Sequence, residues 1–210
     1  MNEKALDFFK ALSKGANQNS VKLANNTDFS DIDAKFILKY ANEKSHILDL
    51  GSGSGLIVNK IYPYVDKIVC VDKFKEFTKF IAKEQKITIY NEDLFDFDTK
   101  EKFDIISAFG IMHYVNEEEV QVLYKKYQQF LKPQGIFIIK NQFGINETIN
   151  ISGYSQEQKR DYYSQYRWIE REKEILISLG HRIVEVCDIY PPEANRWDNT
   201  HFYAIVASCV

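Results

Sequence analysis

Residues 46–55, HILDLGSGSG, decide how the rest of this chain is read. Ile47, Leu48 and Leu50 make a short apolar strand, and Asp49 stands just before its end. Gly51, Gly53 and Gly55 then alternate with Ser52 and Ser54 ahead of a helix-like run. Glycine accepts positive φ and carries no Cβ, so a ligand can lie directly against such a backbone. The small serines leave that approach open. A strand, a glycine-rich turn and a helix in this order predict a site for a nucleotide or nucleoside.

Outward from this stretch, strand and helix patterns alternate. Residues 54–63 read as a helix, 67–72 (KIVCVD) as a second strand, and 74–83 as helical. Strands follow at 87–91, 104–109 (DIISAF) and 136–140, with a helix from Asn116, its cap, to Leu131. Such alternation implies a parallel sheet covered on both faces. Residues 144–165 form a polar, aromatic insertion with no strand pattern, and a helix follows over 166–179. Two strand-like runs, 183–189 and 202–208, have no helix between them and should pair antiparallel. The expected fold is α/β, a Rossmann-like sheet of seven strands, mostly parallel, with the last strand antiparallel. Two helices precede it, one over 2–14 and one capped by Ser30; they cover either a ligand or a sheet edge.

Composition bounds the function. With 210 residues, 45% apolar and 27% charged, the chain suits one soluble domain spanning 1–210. Its parts are N-terminal helices (1–43), a ligand-binding core (44–143), a lid-like insertion (144–165), and a helix with a terminal hairpin (166–210). A net charge of −3 supplies no global attraction to nucleic acid or an anionic membrane. Cys70, Cys187 and Cys209 are scattered through apolar runs without metal or redox spacing, which fits buried thiols in a reducing, cytoplasmic setting. The N-terminus has no long apolar segment.

The glycine spacing is G-x-G-x-G, one residue shorter than the G-x-G-x-x-G of dinucleotide folds. Asp72 closes the second strand, where an ionised carboxylate can accept both hydroxyls of a ribose and would repel a 2′-phosphate. Asp93 follows the third strand, positioned to accept from the amine of an adenine, with the Leu94 N–H beside it. Three successive strand ends therefore offer a backbone cradle, a ribose acceptor and a purine acceptor.

On these residues the sequence resembles the class I S-adenosylmethionine-dependent methyltransferases, closely over 45–140. Asp49 through Gly55 match the family's glycine motif, Val71–Asp72 the acidic second-strand end, and Asp93–Leu94 the adenine motif. Residues 103–114 (FDIISAFGIMHY) and 131–135 (LKPQG) match its fourth and fifth motifs. The resemblance implies S-adenosylmethionine as cofactor and S-adenosylhomocysteine as product. By position, Asp49, Gly51, Ser52, Gly53 and Gly55 would bind the cofactor along with Asp72, Lys73, Asp93 and Leu94, and Phe109 would lie near the sulfonium. The fourth motif lacks the Asn/Asp-Pro-Pro-Tyr run of base and glutamine methylases, and no magnesium set is evident, so no metal is expected.

The acceptor is expected to be a polar small molecule methylated on oxygen, including anionic ones such as a nucleotide-linked sugar or a phosphorylated metabolite. His113, past the fourth strand, and His201, on the last, are the candidate bases, since neutral imidazole is available near pH 7. Asn141, Tyr163, Tyr166, Arg167, Asn195 and Arg196 are candidate substrate contacts: tyrosines stack and hydrogen-bond, and arginine forks suit phosphate or carboxylate. These side chains can equally pack the insertion. The alternative is a non-catalytic cofactor-binding partner of another subunit; nucleic-acid methylation and NAD-dependent oxidoreduction fit less well.

Overall fold

Two-residue alternation builds the sheet by sending successive side chains to opposite faces. In β1 (His46–Leu50), Ile47 joins one apolar layer and Leu48 and Leu50 the other. In β2 (Lys67–Val71), Ile68 and Cys70 oppose Val69 and Val71 in the same way. This computed structural model describes residues 2–19, 27–156, 160–195 and 197–209. The sheet is completed by β3 (Ile87–Tyr90), β4 (Phe103–Phe109) and β5 (Leu131–Gly144). After a separate hairpin, β6 (Ile149–Ser155) and β7 (Arg160–Tyr166), come β8 (His181–Asp188) and β9 (Thr200–Cys209). The strand order is β3-β2-β1-β4-β5-β9-β8, and β9 runs antiparallel to both of its neighbours.

One layer of helices, α2 (Ser30–Leu38) and α3 (Val58–Ile61), packs Ile37, Val58 and Ile61 onto Ile47, Ile68 and Ile105. The opposite layer, α5 (Glu117–Tyr127) and α6 (Ile169–Ser178), packs Leu123, Tyr127 and Leu176 onto Leu48, Val69 and Phe137. The start of α5 is locally encoded: Asn116 accepts from the Glu119 N–H while the Glu119 carboxylate accepts from the Asn116 N–H. The Rossmann-like sheet with a reversed last strand is thus present, with helices on both faces.

Several elements differ from the sequence reading. The helix expected over 54–63 shrinks to α3, because the glycine turn occupies its first residues and a 3₁₀ turn at Tyr62–Tyr64 ends it. The helix expected over 74–83 is only α4 (Lys75–Thr78). There the Asn59 side chain accepts from the Ala82 N–H at 2.8 Å and donates to the Phe80 carbonyl at 2.9 Å, claiming backbone groups a longer helix would use. The insertion is not strandless: β6 and β7 pair antiparallel, Ile149 opposite Tyr166. Ser30 is the first residue of α2 rather than its cap, and Asp28 accepts from its N–H. Both N-terminal helices contribute to a cavity wall, α2 and α1 (Glu3–Ser13) alike. Among the described residues, no helix is long and apolar enough to cross a membrane.

Candidate active site

The turn after β1 is held open from behind. Gly51, Gly53 and Gly55 have φ of 71°, 52° and 74°, values that disfavour any side chain. The Gly51 N–H donates to the Val71 carbonyl at 2.8 Å, and the Ser52 hydroxyl to the Asp49 carbonyl at 2.9 Å. Ser54 and Gln18 exchange side chain-to-carbonyl bonds of 2.6 and 2.8 Å, which tie the segment after α1 to the turn. Gly51, Ser52 and Gly53 face a cavity of about 580 Å³, within the range of small-molecule sites. Gly55 does not face it: a Cβ there would sit 2.6 Å from Ile81 Cγ1, so its role is close packing.

Acidic groups line the same half. Asp49 is buried and accepts from the Ser107 hydroxyl at 2.7 Å; burial pushes its carboxyl up to about 6. Asp72 accepts from the N–H groups of Gly53 and Phe74, each at 2.9 Å, which binds the second strand end to the glycine turn. Burial raises its carboxyl, and the two backbone donors oppose that rise. Desolvation would also raise Asp93, but Lys73 at 2.8 Å and the Phe95 N–H at 3.0 Å outweigh it and hold that carboxyl below the usual range. Leu94 lines the wall beside it.

Phe109, the last residue of β4, marks the passage to the other half, under β5 and β9. His113 faces that half, with Nδ1 3.2 Å from Asn141 Oδ1 and its ring against Tyr114 and Tyr166. Burial, reinforced by the charges of Lys140 and Arg167, pushes the imidazole down to about 3. A second cluster joins Lys140, Asp33 and Tyr190: the ammonium donates to the Tyr190 hydroxyl at 2.7 Å and lies 3.3 Å from the Asp33 carboxylate. Burial alone would lower Lys140, but Asp33 and Tyr190 raise it above the usual lysine value, so it is a fixed cation. It also stands over the Phe109 ring, 5.4 Å from the centroid.

The sequence-derived cofactor set comes together around this cavity, Gly55 excepted. The acceptor set divides. Tyr166 lines the cavity, and Asn141 lies behind His113. His201 does not line it: strand alternation turns Phe202 and Gln142 inward, and His201 pairs with Asp188 at 3.2 Å. Tyr163 is likewise on the outer face of β7, with Tyr162 inward. Arg167 is a correction to the substrate set. It is 1% exposed, ion-paired with fully buried Glu172, and donates to the carbonyls of Met112 and Val115. Asn195 accepts from the Phe202 N–H at 3.2 Å and holds its own loop. Arg196 lies outside the described residues. Lys140, Asp33 and Tyr190 were missed. Only the position of Lys140 at the end of a buried parallel strand signalled it, since charge there needs a partner.

A doubly wound sheet whose glycine turn and acidic strand ends share one cavity defines a Rossmann-like nucleoside-binding domain. Residues 47–135 match the family model described as a methyltransferase domain. No curated protein sequence matches the chain. Among solved structures, the DhpI–SAH complex is similar over 99% of this chain and 98% of that one, at 15% identity and a TM-score of 0.74. The NodS N-methyltransferase of Bradyrhizobium japonicum, in complex with S-adenosylhomocysteine, covers 99% of each chain at 16% identity and a TM-score of 0.69. The 1,6-didemethyltoxoflavin-N1-methyltransferase of Burkholderia thailandensis covers 98% of this chain and 86% of its own, at 15% and 0.73. Over residues 47–135, then, the chain matches a methyltransferase domain, and over nearly its whole length it shares the fold of methyltransferase structures solved with S-adenosylhomocysteine.

Proposed function

We propose that the protein transfers a methyl group from S-adenosylmethionine to a polar small molecule and releases S-adenosylhomocysteine. One observation carries this reading: a single cavity joins the glycine turn, Asp72 and Asp93 to His113 and Lys140, with Phe109 at the junction. The donor half fits the cofactor's chemistry. Asp72 retains acceptor capacity beyond its two backbone bonds, which suits ribose hydroxyls, and Asp93 suits an adenine amine. A side chain at Gly51 would press on Ile111 at 3.0 Å, so only bare backbone leaves that wall clear. When bound, the cofactor supplies a methyl on a positively charged sulfur, which needs alignment more than activation.

On the acceptor side, Tyr114, Tyr162, Tyr166, Tyr190, Trp197 and Phe202 present aromatic surface, which suits a flat or ring-bearing molecule with polar groups. A hydroxyl oxygen is the acceptor atom we favour, with the His113 imidazole as its hydrogen-bonding partner. A negative charge on the acceptor has less support than the sequence suggested. The lining cations among the described residues, Lys73 and Lys140, are already paired with Asp93 and Asp33, and Arg167 is committed to Glu172.

Calorimetry with S-adenosylmethionine tests the cofactor assignment. Binding is expected, and Asp72→Ala should weaken it at least about tenfold, roughly 1.4 kcal/mol. Absence of binding, or undiminished binding in the variant, refutes it. Labelled cofactor offered with a panel of sugars, phenols, amines and phosphorylated metabolites then identifies the acceptor. Tight binding with no transfer, together with a copurifying protein, would favour the non-catalytic alternative.

A further inference from the structure

We propose that Asn141 is a positioning residue: it holds His113 with its proton on Nδ1 and leaves the Nε2 lone pair facing the cavity, where it accepts from the O–H or N–H of the methyl acceptor. The role at the acceptor rests on the function proposed above.

The geometry supplies the argument. Asn141 Oδ1 lies 3.2 Å from His113 Nδ1, and a carbonyl oxygen can only accept, so this orientation of the amide selects the tautomer with its hydrogen on Nδ1. A neutral imidazole has one N–H, so Nε2 is left as an acceptor. Nε2 has no partner among the described residues, while His113 itself lines the cavity. Asn141 does not line the cavity and is 1% exposed. Its Nδ2 is buried without a hydrogen-bond partner, so the amide forgoes two donor bonds that an apolar side chain of similar size would never need. Within the described residues, the contact with His113 is what the amide supplies in return.

The surroundings keep the ring in place. The Ser164 hydroxyl donates to the His113 carbonyl at 3.3 Å, and Arg167 donates to the carbonyls of Met112 and Val115 on either side. The ring packs against Tyr114 and Tyr166, with centroids at 4.2 and 5.8 Å. The charged groups near it are Lys140 and Arg167, and both oppose an imidazolium. The Asn141 hydrogen bond offsets part of the burial penalty on that cation, but without a negative charge it does not overcome it, whereas a carboxylate at position 141 would add a full opposite charge. The pair therefore keeps a neutral acceptor in the cavity rather than a resident positive charge.

Nitrogen-15 spectra of the histidine rings in the full-length protein test this without any methyl acceptor. The chain has four histidines, and loss of one signal set in His113→Gln assigns the ring. His113 should be neutral and protonated on Nδ1 from about pH 8 down to about pH 5. Asn141→Asp should raise its titration midpoint by at least about one pH unit, and Asn141→Leu should let the Nε2–H form appear. A predominant Nε2–H form in the unmodified protein, or a midpoint unmoved by Asn141→Asp, would overturn the proposal. If Asn141→Leu does not fold, those two measurements still decide it. Calorimetry of cofactor binding is a separate readout, so failure of the proposed function and failure of this tautomer are distinguishable.

Discussion

Replacing Asp49 by Asn should stabilise the protein at neutral pH while weakening its cofactor site. Asp49 is buried at the end of β1, and its carboxyl titrates near 6 against an ordinary value of 3.8. Between those two values the folded chain binds a proton that the unfolded chain has released, so stability falls as pH rises through that window. About two pH units at 1.36 kcal/mol each give a penalty on the order of 3 kcal/mol above pH 6. Asparagine keeps an oxygen for the Ser107 hydroxyl and never ionises, so the variant escapes the penalty. Urea unfolding followed at pH 4 and pH 8 measures this. The advantage of Asp49→Asn over the unmodified protein should grow by up to about 3 kcal/mol between the two, and cofactor affinity should drop. A stability difference that stays constant with pH, or moves the other way, would refute the reasoning.

Two more outcomes follow from side chains the cavity does not touch. Arg167→Met strands the buried Glu172 carboxylate and should cost about 3–5 kcal/mol in chemical denaturation, with much of it recovered in Arg167→Met/Glu172→Leu; a loss below about 1 kcal/mol, with only a higher KM, would restore Arg167 to the substrate set. Gly55→Ala forces a Cβ to 2.6 Å from Ile81 Cγ1 at a φ of +74° and should destabilise by about 1–3 kcal/mol, measurable as a lowered Tm, whereas a silent substitution would mean that the turn can shift.

The core of the fold was readable because its signals are short-range. Alternation in Ile47–Leu50 and Ile68–Val71 sorts side chains to two faces without reference to any distant residue. Asn116 and Glu119 cap α5 from within one turn. The insertion was not readable in this way. In β6 the alternation of Ile149 and Ile151 with Asn150 and Ser152 stops at Gly153 after four residues, and β7 is built of tyrosine, serine and glutamine, so neither strand was recognised and there was no parity to choose Tyr162 over Tyr163. The same parity, applied to β9, turns Phe202 inward and leaves His201 to Asp188.

By itself, then, the sequence determined the half of the cavity proposed for the methyl donor: a glycine turn and the acids Asp72 and Asp93, each placed at a strand end by the pattern immediately around it. Tertiary structure alone decided the half proposed for the acceptor. Lys140 finds Asp33 on α2 and Tyr190 beyond β8, and Arg167 finds Glu172 and two carbonyls near His113. A buried charge takes whichever partner the packed chain brings to it; for Lys140, and for the two carbonyls that Arg167 bonds, those partners come from elements far apart in sequence, although Glu172 is only five residues from Arg167. So a lysine that looked like the end of a strand became part of the cavity wall, and an arginine that looked like a ligand became part of the core.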